Sequence, residues 1–207
     1  MTLGRVEISG GALLVAALLL YLDRSGVWSW ALLACTLHEL GHWWAIHAVG
    51  GRVACLRVTC AGAELRMSVV RPLPPVRMAL AALAGPGMNL LVALTGITLA
   101  RRGVGERLYL FAGLNLGLAV FNLLPAGWLD GGRALESLLT WRGREELGRR
   151  VTDLCAFLIT VLLLAGGMLF FWQSGGRNFT VLVAGLWMTG AVWRESGTGK
   201  GQEVKKR

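Results

Sequence analysis

Apolar residues along this chain come in long runs separated by short polar stretches, not at the spacing of a single helix or strand face. Six runs stand out: Ile8–Leu22, Val27–Val49, Val76–Ala100, Leu108–Leu124, Leu154–Trp172 and Phe179–Trp193. Crossing a hydrocarbon core takes about 20 apolar residues. The third, fourth and fifth runs reach or approach that length, and the first and sixth are shorter. The pattern predicts an all-α polytopic membrane protein with about six transmembrane helices.

Two segments between the runs follow other periods. From Arg52 to Val70 the residues alternate: Leu56, Val58 and Cys60 share one side, and Leu65, Met67 and Val69 repeat the rule after Ala61-Gly62-Ala63. This predicts a small β-hairpin with a glycine turn between the second and third spans. Gly132 to Val151 mixes apolar and charged residues at helical spacing, which suits a helix on the membrane surface. Residues 196–207 are polar and basic and read as a disordered tail. Residues 1–195 then form a single membrane-embedded domain.

Composition and charge sharpen this picture. Hydrophobic residues make up 55% of the 207, charged residues only 16%, and mean hydropathy is +0.57. The net charge is +9. A basic protein can bind nucleic acid, but here no Arg/Lys stripe is interleaved with aromatics. With the N-terminus inside, 16 of the 21 Lys and Arg fall on the inner side and 5 on the outer. That bias places both termini, and the hairpin, in the cytoplasm. No Cys-x-x-Cys pair occurs among Cys35, Cys55, Cys60 and Cys155, so a cysteine metal site is not indicated. Arg5 and the first run resemble a signal peptide, but Asp23-Arg24-Ser25-Gly26 is a poor cleavage site, so the run is kept as a span.

The second span carries His38-Glu39-Leu40-Gly41-His42. Residues four apart on a helix share a face, with Cβ atoms about 5–6 Å apart, so both imidazoles can reach one zinc ion. Glu39 sits beside them, placed to hold a water on the metal and take its proton. Zinc lowers the pKa of such a water from about 15.7 to about 7. The same pattern also arises by chance in soluble helices, where a buried His is an ordinary core residue. Inside an apolar span, however, ionisable groups are costly and mark function.

Catalytic zinc takes three protein ligands. His47 is the only other histidine. It lies about 140° further round the helix than His42, which suits an interfacial polar residue better than a ligand. Asp130 is the stronger candidate. It follows Asn122-Leu123-Leu124-Pro125-Ala126-Gly127-Trp128-Leu129, where proline and glycine break the fourth span. Irregular backbone at membrane depth is tolerated where it lines protein or a wet cavity. Asp130 also suits a helix N-cap, and the two roles are compatible.

The pairing of His38-Glu39-Leu40-Gly41-His42 with Asn122-x-x-Pro125-x-x-x-Leu129-Asp130-Gly131-Gly132 resembles the site-2 protease family of intramembrane metalloproteases. Gly85-Pro86-Gly87-Met88-Asn89 is similar to that family's G-P-x-x-N stretch. The chain looks most like the compact branch that includes the stage IV sporulation protein FB, without that branch's CBS domain. The resemblance implies one zinc ion held by His38, His42 and Asp130, with Glu39 as general base. It implies a part for Asn122 or Asn89 in stabilising an oxyanion or orienting substrate, and a bacterial cell membrane as the location. Read from its surroundings alone, Asn89 suits equally the satisfying of backbone groups freed by a helix-breaking Pro86.

The expected activity is hydrolysis of a peptide bond in or near a transmembrane segment of a membrane-tethered protein, as in regulated intramembrane proteolysis. The alternatives are a catalytically silent membrane scaffold of the same fold and a metal transporter. The substrate is a protein within the lipid bilayer, not nucleic acid.

Overall fold

A computed structural model describes residues 5–23, 25–59, 62–67 and 73–176, with the pairs 185–186 and 189–190. The chain is mostly helical. Its elements are β1 (Arg5–Ile8), α1 (Gly10–Leu22), α2 (Val27–Ala48), β2 (Val53–Thr59), β3 (Gly62–Met67), α3 (Pro75–Arg101), α4 (Arg107–Asn122), α5 (Asp130–Trp141) and α6 (Glu145–Gln173). Five of the six apolar runs coincide with α1, α2, α3, α4 and α6. The sixth run and the basic tail fall largely or wholly outside the described residues.

Two of these helices, α3 and α6, are long and apolar enough by themselves to cross a membrane, with mean hydropathies of 1.7 and 2.6. The 13 residues of α1 and 16 of α4 rise about 20 and 24 Å, short of a core about 30 Å thick. α2 has the length, but His38, Glu39 and His42 dilute its hydropathy. Its start is set by Asp23, whose carboxylate accepts the backbone N–H groups of Val27, Trp28 and Ser29 at 3.1, 2.8 and 3.2 Å. Those amides have no partner within the helix.

The expected hairpin is present as β2 and β3, antiparallel, with Leu56 opposite Leu65 and Thr59 opposite Gly62. The sequence pattern missed a third strand. β1 pairs parallel with β2, giving the order β1-β2-β3 and leaving β3 on an edge. Ile8, assigned to the first span, therefore ends a strand. The expected surface helix over Gly132–Val151 is two elements. α5 stops at Trp141, Gly143 turns the chain at φ 71°, and α6 begins at Glu145. Pro86 does not break its helix either, since α3 runs through it without interruption.

Packing is inverted relative to a water-soluble core. Among the described residues, ten of the thirteen buried hydrophobics are alanine, while Leu side chains point outward along α3, α4 and α6, joined on α6 by Phe and Trp. Lipid offers Leu no reason to be inside, so helices associate through small residues that let backbones approach. α3 shows the stripe plainly: Ala81, Gly85, Asn89, Ala93, Gly96 and Ala100 are all buried. At Gly41 of α2, an added Cβ would lie 2.7 Å from the Ala84 carbonyl oxygen. The two helices cross there only because that residue has no side chain.

Candidate functional site

The close crossing of α2 and α3 sets the first two site residues. The imidazoles of His38 and His42 lie one turn apart, ring centroids 4.7 Å from each other and planes at 82°. Gly85 of α3 lies against the His42 ring, and a methyl group there would overlap it. His42 Nδ1–H donates to the Ala81 carbonyl at 2.8 Å. His38 Nδ1–H donates to Asn89 Oδ1 at 2.6 Å. Both rings are thus held from behind by α3, and both Nε2 atoms face forward.

Asp130 meets them from the other side. After α4 the chain makes a series of tight turns: the N–H of Leu124 bonds to the Phe121 carbonyl, Ala126 to Leu124, and Leu129 to Ala126. Ala126 and Leu129 pack with Ala156 of α6, flanked by Leu124, Trp128 and Ile159. α5 then starts at Asp130, with Leu129 in the capping position that the sequence had allowed for Asp130 itself. The adjacent glycines explain themselves. A Cβ on Gly131 would overlap the Leu123 carbonyl, and one on Gly132 the Ala126 carbonyl. The corner is therefore packed to the backbone.

The result is a cluster of three atoms. Asp130 Oδ2 lies 3.0 Å from His38 Nε2 and 3.2 Å from His42 Nε2, and the two nitrogens are 3.1 Å apart. With the proton on Nδ1, each ring in its neutral form presents a lone pair at Nε2. Three lone pairs facing one another at this spacing call for a cation among them. A tetrahedral zinc ion with bonds of about 2.0–2.1 Å would set its ligands about 3.3 Å apart, close to what is found. The donor set fits the ion, and it is the only His/Cys/Asp/Glu grouping among the described residues that could hold one.

The cluster opens on a cavity of about 390 Å³. Glu39 and Asn122 line it, with Trp128, Arg133, Glu136 and Ser137. Asn122 Nδ2 also donates to the Leu118 carbonyl at 3.0 Å. Asn89 does not line the cavity. It is fully buried behind His38, with its amide bonded to Ala34 and Asn115. His47 is exposed, donates to the Trp43 carbonyl and takes no part in the cluster.

Sequence reasoning missed Asn115, Trp128 and the α5 face. Asn115 carried the same signal as Asn89, an amide inside an apolar run. Arg133 and Ser137 follow Asp130 at the three- and seven-residue steps of one helix face. The Trp128 indole N–H is buried with no acceptor among the described residues.

Comparison with known proteins bears on the fold and on the second half of the site. Residues 96–166 match Peptidase family M50, a segment that holds the Asn122–Gly132 motif but begins downstream of His38 and His42. The fold is similar to that of the site-2 protease from Methanocaldococcus jannaschii, with a TM-score of 0.67 at 20% identity, covering 95% of this chain and 93% of that one. The likeness to that structure is one of fold, and the family match covers about a third of the chain. No curated protein matches the chain.

Proposed function

We propose that the protein is an intramembrane zinc metalloendopeptidase that hydrolyses a peptide bond in or near a transmembrane segment of a membrane-tethered protein. The observation that carries this is the meeting of His38 Nε2, His42 Nε2 and Asp130 Oδ2 at 3.0–3.2 Å, beside Glu39 in an open cavity. These three residues would hold one zinc ion, which when bound supplies a Lewis acid and an acidified water. Glu39 takes the proton from the attacking water and passes it to the leaving amine. Asn122, on the cavity wall, has a second amide N–H with which to meet developing negative charge on the scissile carbonyl. The charge bias of the loops puts both termini in the cytoplasm.

A substrate helix must unwind before a peptide bond can be attacked, because helical carbonyls are already bonded and shielded. β3, an edge strand that lies against α2, offers backbone groups to an unwound segment. Two features argue against the rival roles. A transporter spreads ligands along a path, whereas those among the described residues converge at one point. A silent scaffold has no use for a carboxylate in the position of Glu39.

The test is Glu39→Gln in the full chain, purified in micelles and offered a panel of fluorogenic transmembrane peptides. Wild type should cut members of the panel in the presence of zinc. The variant should bind zinc equally and lose cleavage by about 10²–10⁴-fold. Equal cleavage by the two proteins, or zinc lost together with activity, would overturn the assignment of Glu39. A wild-type protein that binds no zinc would overturn the reading as a whole.

A further inference from the structure

We infer that Asn115, acting through Asn89, is a positioning residue that sets the tautomer and ring orientation of His38. The inference uses the proposed metal site but is carried by hydrogen-bond geometry. An asparagine amide has nearly the same shape whichever way it is turned, so its partners decide which end faces where. Asn115 Nδ2 donates to the Phe111 carbonyl at 2.8 Å. A carbonyl only accepts, so the oxygen of Asn115 is turned toward Asn89. Asn89 Nδ2 therefore donates to Asn115 Oδ1 at 2.7 Å, and its other N–H goes to the Ala34 carbonyl at 3.2 Å. Both N–H groups are now committed, and Asn89 Oδ1 is left facing His38 Nδ1 at 2.6 Å. The ring must carry its proton there, which bares Nε2 toward His42 and Asp130.

The relay crosses three helices, from α4 through α3 to α2. Asn89 and Asn115 are each 0% exposed and His38 is 6% exposed, so water does not stand in for a missing partner. Leaving one such buried group unpaired is costly enough to make one amide orientation dominate. Asn89 also ties Ala34 to His38, one turn apart on α2, so it fixes the ring relative to its own helix. Asn115 touches none of the three clustered atoms. Its effect must pass through Asn89.

The full chain, labelled with ¹⁵N-histidine and held metal-free in micelles, reports the His38 tautomer through its two ring-nitrogen shifts. Zinc affinity follows by competition with a chromophoric chelator. Wild type should show Nδ1–H with a bare Nε2. Asn115→Leu should give mixed tautomers and bind zinc about 10-fold more weakly, at the low end of the ~10–100-fold cost of losing an outer partner. Asn115→Asp, as the neutral acid, can accept from Asn89 and donate to Phe111, and should restore both readouts. If Asn115→Leu does not fold, Asn115→Ala is read in its place, since Ala112 and Ala119 are buried on the same face of α4. A folded Asn115→Leu or Asn115→Ala with the wild-type tautomer and affinity would overturn the inference. Mixed tautomers in a protein that binds no zinc would sustain the relay while removing the metal site.

Discussion

On α2, His38 and His42 sit one turn apart on unbroken backbone, whereas Asp130 arrives on a corner of consecutive tight turns between α4 and α5. The spacing of the first pair needs only a helix, because residues four apart share one face, and α3 then sets how the two rings point. The second needs every neighbour to be right. Gly131 and Gly132 touch the backbones of Leu123 and Ala126, and the corner is seated on Ala156 of α6. The difference teaches where the site is vulnerable. A surface change on α2 leaves the two imidazoles in register, while one added methyl group in the corner displaces Asp130.

The sharpest way to break this contrast is Gly132→Ala. Its Cβ overlaps the Ala126 backbone, so the corner must open, and zinc binding, activity and melting temperature should all fall. Asp130→Asn keeps the corner's shape and removes the charge. Its melting temperature without zinc should match wild type, while zinc affinity drops beyond the ~10–100-fold typical of an outer partner. If Gly132→Ala instead retained full zinc affinity, the corner would not be what positions Asp130.

Asn122 tests the cavity wall between the two regions. Asn122→Ala should lower kcat by about 10²-fold, the cost of one oxyanion-hole donor, and leave zinc content unchanged. A raised KM with unchanged kcat would assign it to substrate binding instead. The smallest effect is expected farthest from the chemistry. Prolines on β3 should slow cleavage of long transmembrane substrates more than short peptides and leave zinc content intact. Equal slowing of both would remove strand addition from the reading.

The legible and illegible parts of the molecule divide along the same line. Five helices could be read as apolar runs, because lipid selects for continuous hydrophobicity over a set length. The β2–β3 hairpin followed from a period of two. β1 escaped notice, since Arg5–Ile8 is four residues long and its partner is some fifty positions away. The split at Gly143 was hidden because α5 and the start of α6 have similar amphipathic composition. Pro86 misled, because a helix surrounded by other helices tolerates a proline that would break one in water.

By itself the sequence pointed to a membrane setting, put the two imidazoles and Glu39 on one helix, and offered Asp130 as the candidate to join them. These rest on local rules of run length, helical period and turn residues, which act without distant partners. Only the tertiary structure decided that His38 Nε2, His42 Nε2 and Asp130 Oδ2 meet within 3.0–3.2 Å, that Asn89 stands behind His38 and not in the cavity, and that Asn115 belongs to the same network. Those facts depend on the angle and depth at which α2, α3 and α4 cross. Contacts among small buried residues far apart in the chain set both, and no period along the sequence records them.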